Sequence, residues 1–211
     1  LREFEMIISE KKKFIFLKTA KTSGSSIEFY LSQFCGNNDT ITSLLPREEK
    51  LKKKLNLKVK KNCEFNKIKF TIKNFLKLSF SKKILLYDHS SLSVLEKKIK
   101  LPLSNYYIFT IVRNPYHWIV SYFWWYLHYE KILTIKDLNK LTKKENDFLF
   151  KLFLKLQCEF FFNWMKGIIY SKKHKVHVYK YENLYKDMKK LKSILSIENE
   201  KIKFKQVRLK Y

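Results

Sequence analysis

A chain of 211 residues suits one domain, and its 45% hydrophobic and 17% aromatic content excludes disorder over the whole length. Three Gly and three Pro are too few for the tight turns of an all-β sandwich or barrel. The net charge of +26 raises a basic nucleic-acid or polyanion binder as one reading, but only Arg2, Arg47, Arg113 and Arg208 among the 45 basic residues are arginines, and base-specific readout leans on arginine forks.

The Lys excess travels with abundant Asn, Ile and Phe and a single Ala, Ala20. That joint bias is what AT-rich codons produce, so it reads as composition before it reads as a binding face. A Lys-rich surface still attracts anions without specificity.

In chain order, Phe14-Ile15-Phe16-Leu17 is a short apolar run that predicts a buried strand. Lys18 to Ser25 is a polar loop of small residues. From Ser26, the residues Ile27, Tyr30, Leu31 and Phe34 recur at helical spacing, and Gly36 is placed to stop that helix. Residues 37–46 read as a loop. From about 47 to 83 the chain is Lys- and Asn-rich without a clean period, either a poorly ordered insert or a hairpin-and-helix excursion within a single domain spanning 1–211.

Ile84-Leu85-Leu86-Tyr87 predicts a second short strand leading into Asp88-His89-Ser90-Ser91, and Leu92, Leu95 and Ile99 fall on one helical face. Tyr107-Ile108-Phe109-Thr110-Ile111-Val112 is the clearest strand of the chain. It breaks at Arg113-Asn114-Pro115, and a helix follows through Trp118, Ser121, Tyr122 and Trp125. Residues 133–145 form a polar connection in which Thr142 to Glu145 has the pattern of a helix start, and Phe148 to Ile169 reads as a long aromatic helix. Val176-His177-Val178-Tyr179 predicts one more strand, and after Tyr181-Glu182-Asn183-Leu184 an amphipathic helix runs to about Leu195. Strands alternating with helices indicate an α/β domain with a central, mainly parallel sheet covered by helices on both faces.

Cys35, Cys63 and Cys158 are odd in number, widely spaced and without a Cys-x-x-Cys pair, so neither a metal site nor a disulfide framework is expected. No apolar run reaches the roughly 18 residues of a membrane span. The first residues form no apolar signal core, so a cytoplasmic protein is expected.

A loop between a buried strand and a helix suits an anion. First-turn N–H groups point outward, the helix dipole favours negative charge, and small residues let the backbone approach. Lys21-Thr22-Ser23-Gly24-Ser25-Ser26 has that character, with Lys21 as cation, Gly24 for close approach, and Thr22, Ser25 and Ser26 as hydroxyl donors. The Walker pattern is absent, because the Lys precedes the Gly by three residues. A nucleotide kinase with a variant loop would need a Mg²⁺-binding Asp after a second strand, for which Asp88 is the one loose candidate. By itself the loop is equally well read as a polar turn capping a helix.

Three segments together resemble the carbohydrate-type sulfotransferases that use PAPS (3′-phosphoadenosine 5′-phosphosulfate). Lys21-Thr22-Ser23-Gly24-Ser25-Ser26-Ile27-Glu28 is similar to the family's Lys-Thr-Ala-Gly-Thr-Ser-Ile-Glu loop. Lys18 stands where many members carry His, and Ala20 replaces a usual Pro. Phe109-Thr110-Ile111-Val112-Arg113-Asn114-Pro115 with Ser121-Tyr122 resembles the 3′-phosphate motif, an Arg at a strand end and a Ser eight residues later. Tyr179-Lys180-Tyr181-Glu182-Asn183-Leu184 is similar to the Tyr-Glu-Asn-Leu stretch that closes the family's core. The three occur in the family's order, and the resemblance spans about residues 13–197.

The resemblance implies a P-loop-like three-layer α/β/α fold and in-line transfer of a sulfuryl group from PAPS to a hydroxyl, on a carbohydrate, without a metal and without specific nucleic-acid binding. It implies Lys21 at the 5′-phosphosulfate, held with Thr22, Gly24, Ser25 and Ser26, and Arg113 and Ser121 at the 3′-phosphate. Tyr181 would lie near the adenine, where ordinary core packing is the competing role. Lys21 has the alternative of a solvated lysine, and Arg113 that of a strand-end salt bridge. A base must take the acceptor's proton; His89 is the candidate, with a helix cap as its alternative, and His117 or Glu28 are less suited. The aromatic run Trp118, Tyr122, Phe123, Trp124, Trp125 and Tyr126 reads first as core and second as a sugar platform.

Overall fold

The computed structural model describes residues 6–42, 46–57, 92, 102–129, 137, 139–155, 173–197 and 204. It is a mixed α/β structure. Strands β1 (Met6–Ser9), β2 (Phe14–Leu17), β3 (Thr40–Ile41), β4 (Tyr107–Val112) and β5 (His177–Lys180) form one sheet in the order β3-β1-β2-β4-β5. The described helices are α1 (Gly24–Leu31), α2 (Pro46–Lys54), α3 (Pro115–Tyr129), α4 (residues 143–155) and α5 (Leu184–Ile194); α1 and α5 pack on one face of the sheet, and α3 packs against α4.

β2, β4 and β5 are parallel, with Leu17 opposite Thr110 and Val112 opposite Lys180, so their carboxyl ends emerge along one edge of the sheet. β1 pairs antiparallel with both β2 and β3, and the sheet is therefore mixed. The antiparallel part is anchored by Asp39. Its carboxylate accepts the Ser9 hydroxyl at 2.6 Å and the backbone N–H groups of Glu10, Lys11 and Gly36 at 2.8, 3.1 and 2.7 Å.

Strand alternation sends side chains to two cores. Ile7, Phe14, Phe16, Phe109 and Ile111 meet Ile27, Tyr30 and Leu31 of α1 and Leu184, Met188 and Leu191 of α5 on one face. Met6, Ile8, Ile15, Leu17 and Ile108 meet Leu92, Leu103 and Tyr106 on the other. Burial on both faces explains the apolar reading of β2 and of β4, in which Thr110 is buried as well.

The expected strands at 14–17 and 107–112 are present with those limits, and β5 is shifted by one residue from 176–179. α1 starts at Gly24, three residues before Ile27, its first periodic residue. α3 and the terminal helix are present, and the chain turns at Gly36 after a 3₁₀ turn over Ser32–Phe34. Within 133–155, Thr142 and Glu145 form a reciprocal cap. The Thr142 N–H and hydroxyl each donate to Glu145 Oε2 at 2.7 Å, and the Glu145 N–H donates back at 3.3 Å, so the helix begins at 143.

β1 and β3 are additions to the expected plan, β3 lying in the expected loop 37–46, while α2 falls at the start of the stretch read as an insert or a hairpin-and-helix excursion. β1 and β3 span only four and two residues, too short to show a period. The expected strand at 84–87, His89 and the end of the long aromatic helix lie outside the described residues. No described helix is long and apolar enough to cross a membrane.

Candidate functional site

The β2–α1 loop, the β4–α3 junction and the β5–α5 junction leave the sheet at the same edge, where ligands bind in open α/β sheets. In the loop, Lys21 and Ser23 take left-handed backbone conformations with φ of 60° and 61°, and Ser23 is the residue before α1. Alternation between left-handed Ser23 and the helical first turn turns consecutive N–H groups to one side, a concavity that suits an anion.

Side chains from the neighbouring strand and helix hold the loop's carbonyls. The Thr110 hydroxyl donates to the Leu17 carbonyl at 2.7 Å, the Trp118 indole N–H to the Ala20 carbonyl at 2.9 Å, and Arg113 Nη1 to the Lys21 carbonyl at 3.3 Å. In a planar peptide unit the N–H that follows a carbonyl points the other way, so the bonds to the Ala20 and Lys21 carbonyls aim the N–H groups of Lys21 and Thr22 away from Trp118 and Arg113. The Thr19 hydroxyl donates to the Ile111 carbonyl, and the Thr22 hydroxyl donates to the Thr19 carbonyl at 2.9 Å. Thr22 is fully buried; its hydroxyl braces the loop from within.

Gly24 is required by contact. A Cβ there would lie 2.5 Å from Lys18 Cε and 2.8 Å from Cδ, with Cγ nearer still. The Lys18 chain lies across Gly24, and its ammonium stands 3.5 Å from Glu28 Oε2. Lys52 reaches Glu28 Oε1 from α2 at 2.5 Å. All three are at most 5% exposed, so Glu28 is the anion between two buried cations. The Ser25 hydroxyl donates to Glu48 of α2 at 2.8 Å, and Glu48 is also buried. The first helix of the Lys-rich stretch is thus built against the loop. Its signal lies in Glu48 and Glu49 near one end and Lys52, Lys53 and Lys54 at the other, the charge order that suits a helix dipole.

Arg113 follows β4 directly. Its guanidinium carbon lies 4.5 Å from the centre of the half-buried Tyr181 ring, and its Nε is buried with no hydrogen-bond partner among the described residues. A buried guanidinium donor without an acceptor is costly unless an anion meets it. Asn114 caps α3, its Oδ1 accepting the N–H groups of Tyr116 at 3.0 Å and His117 at 3.4 Å. The Asn114 N–H donates to Glu182 at 2.7 Å, which joins the β4 and β5 junctions. That bond, with Arg113 and His117 near by, holds the Glu182 carboxyl below its ordinary range.

Lys21 Nζ lies 5.8 Å from the Trp125 ring centre. Ser121 sits part-exposed on α3, and no hydrogen bond links it to Arg113. Ser26 is buried in the first turn of α1. Trp118, Tyr122 and Phe123 are buried against Phe153 of α4, with Trp125 and Tyr126 half-buried beside them. This places most of the aromatic run in a core, while Trp124 is exposed. Thus Lys21, Thr22, Gly24, Ser25, Ser26, Arg113 and Tyr181 are gathered along one edge, with Ser121 on the adjoining helix. Among the described residues no group of three or more His, Cys, Asp or Glu side chains could hold a metal ion. The chain matches no family model, no curated protein and no solved structure.

Proposed function

We propose that the chain is a PAPS-dependent sulfotransferase with a P-loop-like three-layer fold, acting on a hydroxyl of a carbohydrate. The observation that carries this reading is Arg113. It stands at the carboxyl end of a central parallel strand, rests on Tyr181, bonds the carbonyl of Lys21 and keeps a buried, unpartnered Nε. A planar guanidinium held in that way suits a phosphate.

In the proposed reaction the acceptor oxygen attacks sulfur in line. Its new O–S bond forms as the bond from sulfur to the 5′-phosphate oxygen breaks, and that oxygen keeps the electron pair and leaves as part of PAP. Lys21 is assigned to the leaving oxygen, where negative charge grows, and a fixed cation there is worth about 10²–10³ in rate. The loop's N–H groups hold the 5′-phosphate, and Arg113 with Ser121 holds the 3′-phosphate. His89, outside the described residues, is assigned as the base that takes the hydroxyl proton.

Calorimetric titration with PAP tests this, comparing the wild type with Arg113→Ala and Lys21→Ala. Saturable binding lost in Arg113→Ala supports the reading; absence of binding by the wild type overturns it.

A further inference from the structure

α2 sends two side chains one turn apart to α1: Glu48 to the hydroxyl of Ser25, and Lys52 to the carboxylate of Glu28. Ser25 lies in the first turn of α1, where the N–H groups have no intrahelical acceptor and the dipole favours negative charge. A buried carboxylate has therefore been brought to the hydroxyl that an incoming anion would use. A serine hydroxyl has one proton to donate. While Glu48 accepts it, Ser25 turns only lone pairs toward any other acceptor.

We propose that Glu48 is an affinity-determining residue of the loop, an internal carboxylate that competes with the 5′-phosphate of the ligand for the Ser25 hydroxyl. This rests on the loop being the anion site of the proposed function. When the anion binds, Ser25 rotates its hydroxyl from Glu48 to the phosphate oxygen, and Glu48 loses that contact. α2 is then held to α1 by Lys52 and Glu28 alone of the two contacts described above. The competition keeps the empty loop ordered and lowers its affinity for small anions that lack the rest of the ligand. No covalent bond changes.

The test is calorimetric titration of the wild type, Glu48→Gln, Ser25→Ala and the double variant with PAP and, separately, with inorganic pyrophosphate. Glu48→Gln leaves only a neutral acceptor, and charged hydrogen bonds are roughly twice as strong as neutral ones. Pyrophosphate is expected to bind Glu48→Gln about fivefold to tenfold more tightly than the wild type. Ser25→Ala is expected to cost more affinity in the Glu48→Gln background than in the wild type. Equal or weaker binding by Glu48→Gln, with the same Ser25→Ala effect in both backgrounds, overturns the proposal.

Tighter pyrophosphate binding by Glu48→Gln with no PAP binding by any variant upholds the role of Glu48 and defeats the nucleotide reading. No binding of either probe defeats both. If Glu48→Gln does not fold, hydrogen exchange of the wild type decides. Faster exchange in Pro46–Lys54 on adding pyrophosphate supports the proposal, and unchanged or slower exchange there overturns it.

Discussion

Arg113 lies with its guanidinium carbon 4.5 Å from the centre of the Tyr181 ring while its Nη1 donates to the carbonyl of Lys21. One side chain thus ties three separate stretches of sequence to one edge of the sheet. Truncating it removes charged hydrogen bonds worth roughly 1.5–3 kcal/mol each, so Arg113→Ala is expected to weaken PAP binding by about 100-fold. Tyr181→Leu removes the ring and is expected to cost about threefold to tenfold, the size of a partly desolvated cation–π contact. Tyr181→Phe is expected to bind as the wild type. Titration of the three variants checks this order; a larger loss in Tyr181→Phe than in Tyr181→Leu contradicts it.

Trp118 holds the loop at the carbonyl of Ala20 through its indole N–H while its ring stacks on Tyr122, with centroids 5.4 Å apart. Trp118→Phe keeps an apolar ring and loses the donor. Its expected cost is about 1 kcal/mol of stability and a several-fold loss of PAP affinity, since the loop then samples orientations that withdraw its N–H groups. Urea unfolding and titration read the two effects separately.

Gly24→Ala places a methyl within 3 Å of the Lys18 chain. Lys18 must leave its course to Glu28, and a buried ion pair is disturbed. A loss of about 2 kcal/mol in stability is expected. The double variant Gly24→Ala/Lys18→Ala is expected to recover part of it, because the atoms in collision are gone. Additive losses in thermal melts contradict this.

Glu28 is the acid between Lys18 and Lys52, at 3.5 and 2.5 Å. Glu28→Ala leaves both ammonium groups buried beside each other, and such a loss typically costs about 3–5 kcal/mol. Lys52→Met is expected to be milder, because an apolar chain of similar length refills the space and Lys18 still faces Glu28. Unfolding curves that rank Lys52→Met below Glu28→Ala in stability would contradict the assignment.

Asp39 is buried, and desolvation alone would raise its pKa. The Ser9 hydroxyl and the N–H groups of Gly36, Lys11 and Glu10 together outweigh that and hold it below its ordinary value. A depressed folded value means stability that is present above the unfolded pKa and is lost as pH falls through the folded one. Asp39→Asn is expected to destabilise by roughly 1–3 kcal/mol at pH 7. The gap from wild type is expected to narrow as pH falls below the ordinary Asp value, where the unfolded chain is protonated first, and to close as pH passes through the depressed folded value. Denaturant unfolding at neutral and acid pH reads this, and a constant gap contradicts it.

The strands at 14–17 and 107–112 were legible because both of their faces are buried, which leaves the runs apolar but for Thr110, whose hydroxyl is bonded to the Leu17 carbonyl. The cap of α4 was legible because Thr142 and Glu145 satisfy each other's donors over three residues, a purely local matter. β1 and β3 were not, since four and two residues carry no period and their pairing depends on Asp39 at a distance of thirty residues from Ser9. α2 was obscured by its Lys-rich composition, although its charge order pointed to a helix.

The chemical character of the loop, its cation at Lys21 and the arginine directly after β4 are properties of the sequence alone, because residue type and spacing set them locally. The tertiary structure decided what those groups touch. It turned the Thr22 hydroxyl inward, laid Lys18 over Gly24, and put Glu28 between two lysines. It also brought Glu48 to Ser25 from a stretch whose sequence offers no period. Buried charges and single-proton donors must find partners wherever the fold supplies them, and for Glu28 and Ser25 the partners Lys52 and Glu48 lie more than twenty residues away in the chain.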